Sequence, residues 1–153
     1  MQLFLQHKVI VRKLKNGVTL LLEPLPTFST VSLAFFNKLG SRDESKNETG
    51  YSHFVEHMLF KGNEKYSKDF LSSKFDEMGG FINAYTSKEE VCIYNTIPSY
   101  YMEDSIRMIE QMFNRSIIDD KELNSEKSVI LNELNSTLFA IPAAVSGKRN
   151  RRE

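Results

Sequence analysis

The segment His53-Phe-Val-Glu-His57 holds two of the three histidines of this 153-residue chain, four positions apart, with Glu56 beside the second. In a helix of 3.6 residues per turn, His57 lies about 40° from His53 around the axis and Glu56 about 60° to the other side. All three side chains therefore project from one helix face. Such a face offers two imidazoles to one divalent ion and places a carboxylate beside the remaining coordination position.

The residues around this motif predict a helix without reference to a metal. Thr49 or Ser52 can cap its start, Lys61 suits the last turn, and Gly62 fits the left-handed position that ends a helix. Because apolar side chains surround most of the segment, we expect the helix to be buried. One alternative to a metal site is a pair of core histidines that hydrogen-bond to Glu56 and to backbone groups.

Composition excludes several classes of partner. Twenty basic residues balance twenty acidic ones, which argues against nucleic acid and anionic membrane as partners. Cys92 is the sole cysteine of the sequence, so no internal disulfide forms, and its apolar neighbours predict a small core residue. The sequence contains neither a transmembrane run nor a signal peptide pattern. A bacterial cytoplasm is the expected location, with the mitochondrial matrix and secretion as alternatives.

Hydrophobic periodicity and turn residues predict an α+β domain over residues 1–138. Strands are predicted over residues 9–14, 18–22, 30–39, 81–86 and 91–97, the first two joined by a turn at Asn16-Gly17. Helices are predicted at the histidine motif, after Ser67 as far as Gly79-Gly80, after Pro98, and from Asp119 to about Leu138. The order β-β-β-α-α-β-β-α-α describes helices packed on a largely antiparallel sheet.

The last predicted helix offers a candidate for a third metal ligand. Glu126 and Glu133 are seven positions apart and stack within about 20° on one side of that helix, a side that they share with apolar residues. Carboxylates on an apolar stripe need a positive partner, and a zinc ion bound by His53 and His57 would be one. The alternative is that both glutamates face solvent near lysine side chains.

Four segments of the chain carry a more specific pattern when they are taken in order. They are Glu48-Thr-Gly-Tyr-Ser52, the decapeptide HFVEHMLFKG from His53, Gly79-Gly-Phe-Ile-Asn-Ala-Tyr-Thr86, and Glu126-Lys-Ser-Val-Ile-Leu-Asn-Glu133. Together they resemble the pitrilysin family of inverted-motif zinc metallopeptidases, which includes insulin-degrading enzyme and the mitochondrial processing peptidases. The resemblance runs from about Val9 to Leu138, in the family's order and at matching spacings.

This resemblance implies a zinc-dependent endopeptidase with an assigned set of site residues. It implies that His53, His57 and Glu133 ligate one Zn²⁺ per chain. It also implies that Glu56 is the general base for the attacking water and that Glu126 is a supporting carboxylate behind the ligands.

The same resemblance implies how a substrate is held. Asn83 and Ala84 match the edge strand that pairs with an extended backbone in the family, so peptides or unfolded polypeptides are the expected substrates. From the residues alone, an ordinary strand with a polar end is the alternative. His7, in the N-terminal arm, is predicted to be a surface residue.

The chain departs from the family pattern in length and at its end. Family members have two halves that close over the peptide, so we expect a second domain or chain to complete the chamber. Residues 139–153 differ in composition from the rest and end in a basic run, and Pro142 predicts a helix end followed by a disordered tail. A small nucleic-acid or membrane patch in this tail is the alternative.

Two functions remain open at this point. One is a zinc endopeptidase domain that acts fully only with a missing second half. The other is a catalytically inactive truncated remnant or an interaction subunit of a larger processing protease. The presence of all four residues His53, Glu56, His57 and Glu133 favours intact chemistry.

Overall fold

The predicted α+β class and the order of its elements are confirmed. The structure, a computed structural model, describes the backbone of residues 8–146 and the side chains of residues 8–135. The strands are β1 (Ile10–Lys13), β2 (Thr19–Leu22), β3 (Thr30–Asn37), β4 (Phe81–Thr86) and β5 (Val91–Pro98). The helices are α1 (Tyr51–Leu59), α2 (Lys68–Glu77), α3 (Met102–Asn114) and α4 (Asp120–Ser146), with a short 3₁₀ turn before α3.

The chain divides into two compact units, Met1–Thr30 and Val31–Glu153. In the first unit, β1 pairs antiparallel with β2, with Ile10 opposite Leu22 at one end of the register. Gly17 between them has a φ of +88°, a backbone conformation that glycine adopts without steric cost. The hairpin predicted from Asn16-Gly17 is therefore confirmed.

The second unit is built on a three-stranded sheet in the order β3-β5-β4. The central strand β5 pairs antiparallel with β4, with Ala84 opposite Ile93. Because β5 has a neighbour on each side, its side chains are the most buried of the three strands. Strand β4 forms one edge of this sheet, as far as the described residues extend.

The core of the second unit lies between this sheet and the helices. Its members are the fully or nearly buried side chains Leu59, Leu71, Phe75, Met78, Ile93, Ile97, Met108, Ile109 and Met112. They come from α1, α2 and its C-cap Met78, α3 and β5, so the helices that follow β3 and β5 pack on this sheet through one shared apolar layer. Cys92 is also buried, as its apolar neighbours predict.

Two of the predicted helix caps are confirmed. The Ser67 hydroxyl accepts a hydrogen bond from the Phe70 amide at the start of α2. The Asp119 carboxylate accepts one from the Glu122 amide at the start of α4. Each satisfies a backbone N–H that the helix leaves without an intrahelical partner.

Three expectations about α1 are wrong. Its cap residue is Gly50, with no side-chain cap bond, instead of Thr49 or Ser52. The helix ends at Leu59, so Gly62 takes its positive φ of +116° in the turn beyond the helix. The helix is also less buried than expected, because its apolar residue Val55 faces solvent while the opposite side packs.

Helix α4 runs to Ser146 and therefore passes both the end predicted near Leu138 and Pro142. A proline removes one backbone hydrogen bond from a helix, but the bonds on either side of it can remain. The assignment of residues 139–153 to a separate disordered tail stays a prediction.

His7 lies outside the described residues. Among the residues that are described, no helix is both long and apolar enough to cross a membrane.

The core predicts a sharp difference between two isoleucines on α3. Ile109 is fully buried and Ile106 is 40% exposed. We expect Ile109→Ala to lower the free energy of unfolding by about 2–5 kcal/mol, because it removes packed methyl groups and leaves a cavity. Ile106→Ala is the matched control and should cost less than about 1 kcal/mol. Urea unfolding followed by circular dichroism at 222 nm measures both, and equal losses would contradict this core assignment.

Candidate metal centre

Helix α1, which carries both motif histidines, is held at its start by a residue from the preceding loop. The Glu44 carboxylate accepts hydrogen bonds from the backbone amides of Gly50 and Ser52, each at 2.7 Å. These two amides lie at the helix N-terminus, where backbone N–H groups lack intrahelical partners and the helix dipole favours an anion. The Ser52 amide bond is the largest influence and lowers the pKa of Glu44, with a smaller contribution from Gly50 against the effect of burial.

The structure brings the three predicted ligand side chains together. His53 Nε2 and His57 Nε2 are 3.2 Å apart. Glu133 Oε2, from α4, lies 3.8 Å from His53 Nε2 and 3.6 Å from His57 Nε2. All three atoms therefore fall within 4.8 Å of one another.

These separations fit one small tetrahedral cation. Ligand atoms at zinc distances of about 2.0–2.2 Å, arranged at tetrahedral angles, lie about 3.3–3.6 Å from one another. The observed distances of 3.2, 3.6 and 3.8 Å bracket that range. Two imidazoles and one carboxylate are also a donor set that Zn²⁺ prefers, and three protein ligands leave a coordination position open. The residues present therefore fit the metal that the motif predicts.

The second nitrogen of His57 is held by Glu126. His57 Nδ1 lies 3.0 Å from Glu126 Oε2. A carboxylate only accepts, so Nδ1 carries the proton and Nε2 presents its lone pair toward the other two ligand atoms. Glu126 thus favours the tautomer whose Nε2 lone pair faces His53 and Glu133, as carboxylates behind metal-binding histidines commonly do.

Glu126 and Glu133 differ in surroundings although they share one side of α4. The Glu126 side chain is 6% exposed and that of Glu133 is 49% exposed. Lys61, which follows α1, forms an ion pair with Glu126 Oε1. Burial is the largest single influence on Glu126 and would raise its pKa, but hydrogen bonds from Lys61 and His57 outweigh it, so that the pKa is lowered.

The remaining motif carboxylate, Glu56, turns to the sheet. The Thr86 hydroxyl, at the end of β4, donates a hydrogen bond to Glu56 Oε2. Glu56 is therefore on the same helix as the histidines but outside the group of three ligand atoms. Its Oε1 is the oxygen that Thr86 does not engage.

The two predicted substrate residues lie on β4, at the sheet edge. Asn83 is exposed and Ala84 is half-buried, because alternate residues of the strand face solvent and core. The Asn83 side-chain oxygen accepts a hydrogen bond of 2.8 Å from the Ala84 amide. The Ala84 amide is thus hydrogen-bonded to a side chain of its own strand, β4. The same strand carries Thr86, which bonds to Glu56.

Three residues of this arrangement had no signal in the sequence that we recognised. They are Glu44 at the start of α1, Lys61 beside Glu126, and Thr86 beside Glu56. Thr86 closes one of the four family-like segments and Lys61 lies in another, so the signal that could have found them is membership in those segments. Glu44 stands in the charged loop, where many carboxylates are equivalent by sequence.

Comparison with known proteins identifies the family. Residues 19–146 match the family model described as Insulinase (Peptidase family M16). This match covers most of the sequence, and the chain therefore belongs to the insulinase family, peptidase family M16. The resemblance predicted from the four ordered segments is confirmed.

Individual relatives are bacterial and mitochondrial proteins. The chain is 36% identical over 124 residues to a protein described as an uncharacterized zinc protease from Rickettsia felis, covering 81% of this chain and 30% of that protein. It is 38% identical over 120 residues to the uncharacterized zinc protease YmxG of Bacillus subtilis, covering 78% and 29%. It is 32% identical over 126 residues to the mitochondrial-processing peptidase subunit beta of Blastocladiella emersonii, covering 82% and 27%.

A solved structure has the same fold. The crystal structure of a protease from Helicobacter pylori superposes with a TM-score of 0.79 at 23% identity, over 83% of this chain and 31% of that one. The chain thus spans less than a third of the length of each of these proteins.

The Glu44 contacts predict a pH-dependent contribution to stability. Because the folded-state pKa of Glu44 is lowered, its contribution is present above its unfolded pKa and is lost as pH falls through the folded pKa. We expect Glu44→Ala to lower the free energy of unfolding by about 1 kcal/mol at pH 7. The difference from wild type should shrink in acid.

The matched control is Glu64→Ala, which removes an exposed carboxylate 3.8 Å from Arg115 and should change stability little. Urea titrations at pH 7 and in acid measure the difference. A Glu44→Ala effect that is equal at both pH values would contradict the role of the carboxylate charge.

Proposed function

We propose that this chain is the zinc-bearing part of a metalloendopeptidase and that its ligands are His53, His57 and Glu133. The observation that carries the proposal is the near-tetrahedral spacing of the three ligand atoms. When bound, Zn²⁺ polarises the scissile carbonyl and lowers the pKa of a coordinated water to about 7. Membership in peptidase family M16 and relatives named zinc proteases support the same chemistry.

In this proposal Glu56 moves the proton. Thr86 holds Glu56 Oε2, which leaves Oε1 to accept a proton from the attacking water. The carboxylic acid formed in this way then gives the proton to the departing amine. Because a water performs the attack, no serine or cysteine nucleophile is required, and the buried Cys92 takes no part.

Strand β4 is the proposed binding site for an extended peptide. An edge strand offers backbone groups for pairing, and that pairing accepts most side chains, which suits peptides and unfolded polypeptides as substrates. A peptide that pairs with Ala84 replaces the hydrogen bond that its amide now makes with Asn83. Binding at β4 also places the peptide on the strand whose last residue, Thr86, contacts the base.

A second domain or chain is proposed to complete the substrate chamber. The matched relatives are more than three times as long as the region that this chain covers. One of them is a subunit of a mitochondrial-processing peptidase. The Glu133 side chain is 49% exposed, so the site is open to solvent there. The second domain or chain would cover this part of the site.

Zinc binding tests the ligand set. We expect the purified chain to bind about one Zn²⁺, as in other three-ligand sites, and His53→Ala or Glu133→Gln to abolish tight binding. The control is Glu77→Gln, an exposed carboxylate paired with Lys74, which should leave binding unchanged. Isothermal titration calorimetry and metal analysis measure the stoichiometry, and full binding by both ligand variants would overturn the assignment.

Glu56→Gln separates the proposed base from the ligands. We expect the variant to keep its zinc but to lose about 10²-fold or more in peptide hydrolysis, because the amide cannot accept the proton. The assay follows cleavage of an unstructured fluorogenic peptide by the zinc-loaded chain, with Glu77→Gln as control.

Hydrolysis that survives in Glu56→Gln would rule out this residue as the base. A wild-type chain that binds zinc but cleaves nothing would favour the alternative function, an interaction subunit or an inactive remnant.

A further inference from the structure

Lys61 occupies an unusual position for a lysine. Its side chain is only 11% exposed, whereas lysine side chains are rarely buried unless an opposite charge pairs with them. The residue follows α1 directly, and its amide donates to the Met58 carbonyl at 3.1 Å. The next residue, Gly62, turns the chain with its positive φ, and its carbonyl accepts from the Ile117 amide at 3.2 Å. Backbone bonds on both sides therefore fix where the Lys61 side chain starts.

The Lys61 ammonium group meets a carboxylate that is already in use. It pairs with Glu126 Oε1, while Glu126 Oε2 lies 3.0 Å from His57 Nδ1. One oxygen of the Glu126 carboxylate thus contacts the Lys61 ammonium group, and the other contacts the His57 ring. Both carboxylate oxygens have their own partner, so the plane of the Glu126 carboxylate is defined by two contacts from the α1 region.

We propose that Lys61 is a positioning residue of the metal centre, which holds the Glu126 carboxylate in the orientation that presents His57 Nε2 to the metal. This inference rests on the metal site proposed above. A carboxylate held at one oxygen only can rotate about its last side-chain bond, and the ring bonded to it then loses a fixed direction. With Lys61 on Oε1 and His57 on Oε2, two contacts oppose that rotation.

Stability alone gives a weaker account of the pair. Removing two charges from water costs free energy that their attraction often only just repays, and an apolar pair of similar volume is commonly as stable. The two contacts of Glu126 instead fix the orientation of the carboxylate that bonds to the His57 ring, a proposed metal ligand. Residues that orient metal ligands from behind typically change metal affinity by about 10–100-fold when they are removed.

A double-mutant cycle on zinc affinity tests the proposal. Lys61→Met keeps an unbranched side chain about as long as the aliphatic part of lysine and removes the ammonium group. We expect it to raise the Kd for Zn²⁺ about tenfold in the otherwise wild-type chain. In the Glu126→Gln background, where the carboxylate is already absent, the same change should alter Kd less than about twofold. Competition with a chromophoric zinc chelator measures all four Kd values.

Two further variants complete the design. Lys74→Met removes the ammonium group of an exposed pair with Glu77 and should leave Kd unchanged. Lys61→Arg keeps a cationic donor and should hold Kd within about threefold of wild type, as a positioning role requires. If Lys61→Met does not fold, Lys61→Gln takes its place in the cycle, with circular dichroism at 222 nm as the check on folding.

The outcomes distinguish this inference from the proposed function. No zinc binding by the wild-type chain would overturn the metal site itself. Zinc binding that is unaffected by Lys61→Met would overturn only the role of Lys61. An equal loss of affinity in both backgrounds would also overturn it, because the effect would then arise from general destabilisation and not through Glu126.

Discussion

The contact between Glu126 and His57 is the interaction on which the site depends. The two residues are 69 positions apart, and their 3.0 Å contact joins α4 to α1. The spacing of the histidines is a property of α1 alone, but Glu133 reaches them only because α4 packs against that helix. The buried Glu126 carboxylate, with His57 on one oxygen and Lys61 on the other, forms a polar connection between α4 and the α1 region. Glu133 is then brought to the same histidines by the regular geometry of α4.

Glu126 and Glu133 differ in how deeply their side chains are buried. They are separated by about 10 Å along the axis, at 1.5 Å per residue, and α4 passes from a buried contact to an open one over that length. The inner carboxylate, 6% exposed, has protein partners on both oxygens, whereas the outer one is 49% exposed and lies near two imidazole nitrogens. The proposed metal centre would use both conditions, since fixed ligands require a dry side and substrate requires an open one.

Strand β4 connects the sheet to the chemistry. Its position at the edge leaves backbone groups available for pairing, and its last residue, Thr86, bonds to Glu56. In the proposed function, the same strand both pairs with the peptide and orients Glu56, the proposed base. That bond occupies one Glu56 oxygen, and Glu56 lies outside the group formed by His53, His57 and Glu133. The chain belongs to the insulinase family, and a solved protease structure shares its fold.

The features that could be predicted from the sequence are those that depend on neighbouring residues along the chain. The four-residue histidine spacing, the hairpin at Asn16-Gly17, the caps at Ser67 and Asp119, and the element order all follow from local geometry, and the structure has them. Spacing left Glu126 and Glu133 undecided between solvent and metal, and the resemblance to a family was needed to choose. The contacts of Glu44, Lys61 and Thr86 could not be predicted from the sequence. They depend on tertiary packing, because their partners belong to other elements of the fold or lie across a loop. Periodicity says which face of an element is apolar, but which element meets that face is decided by packing.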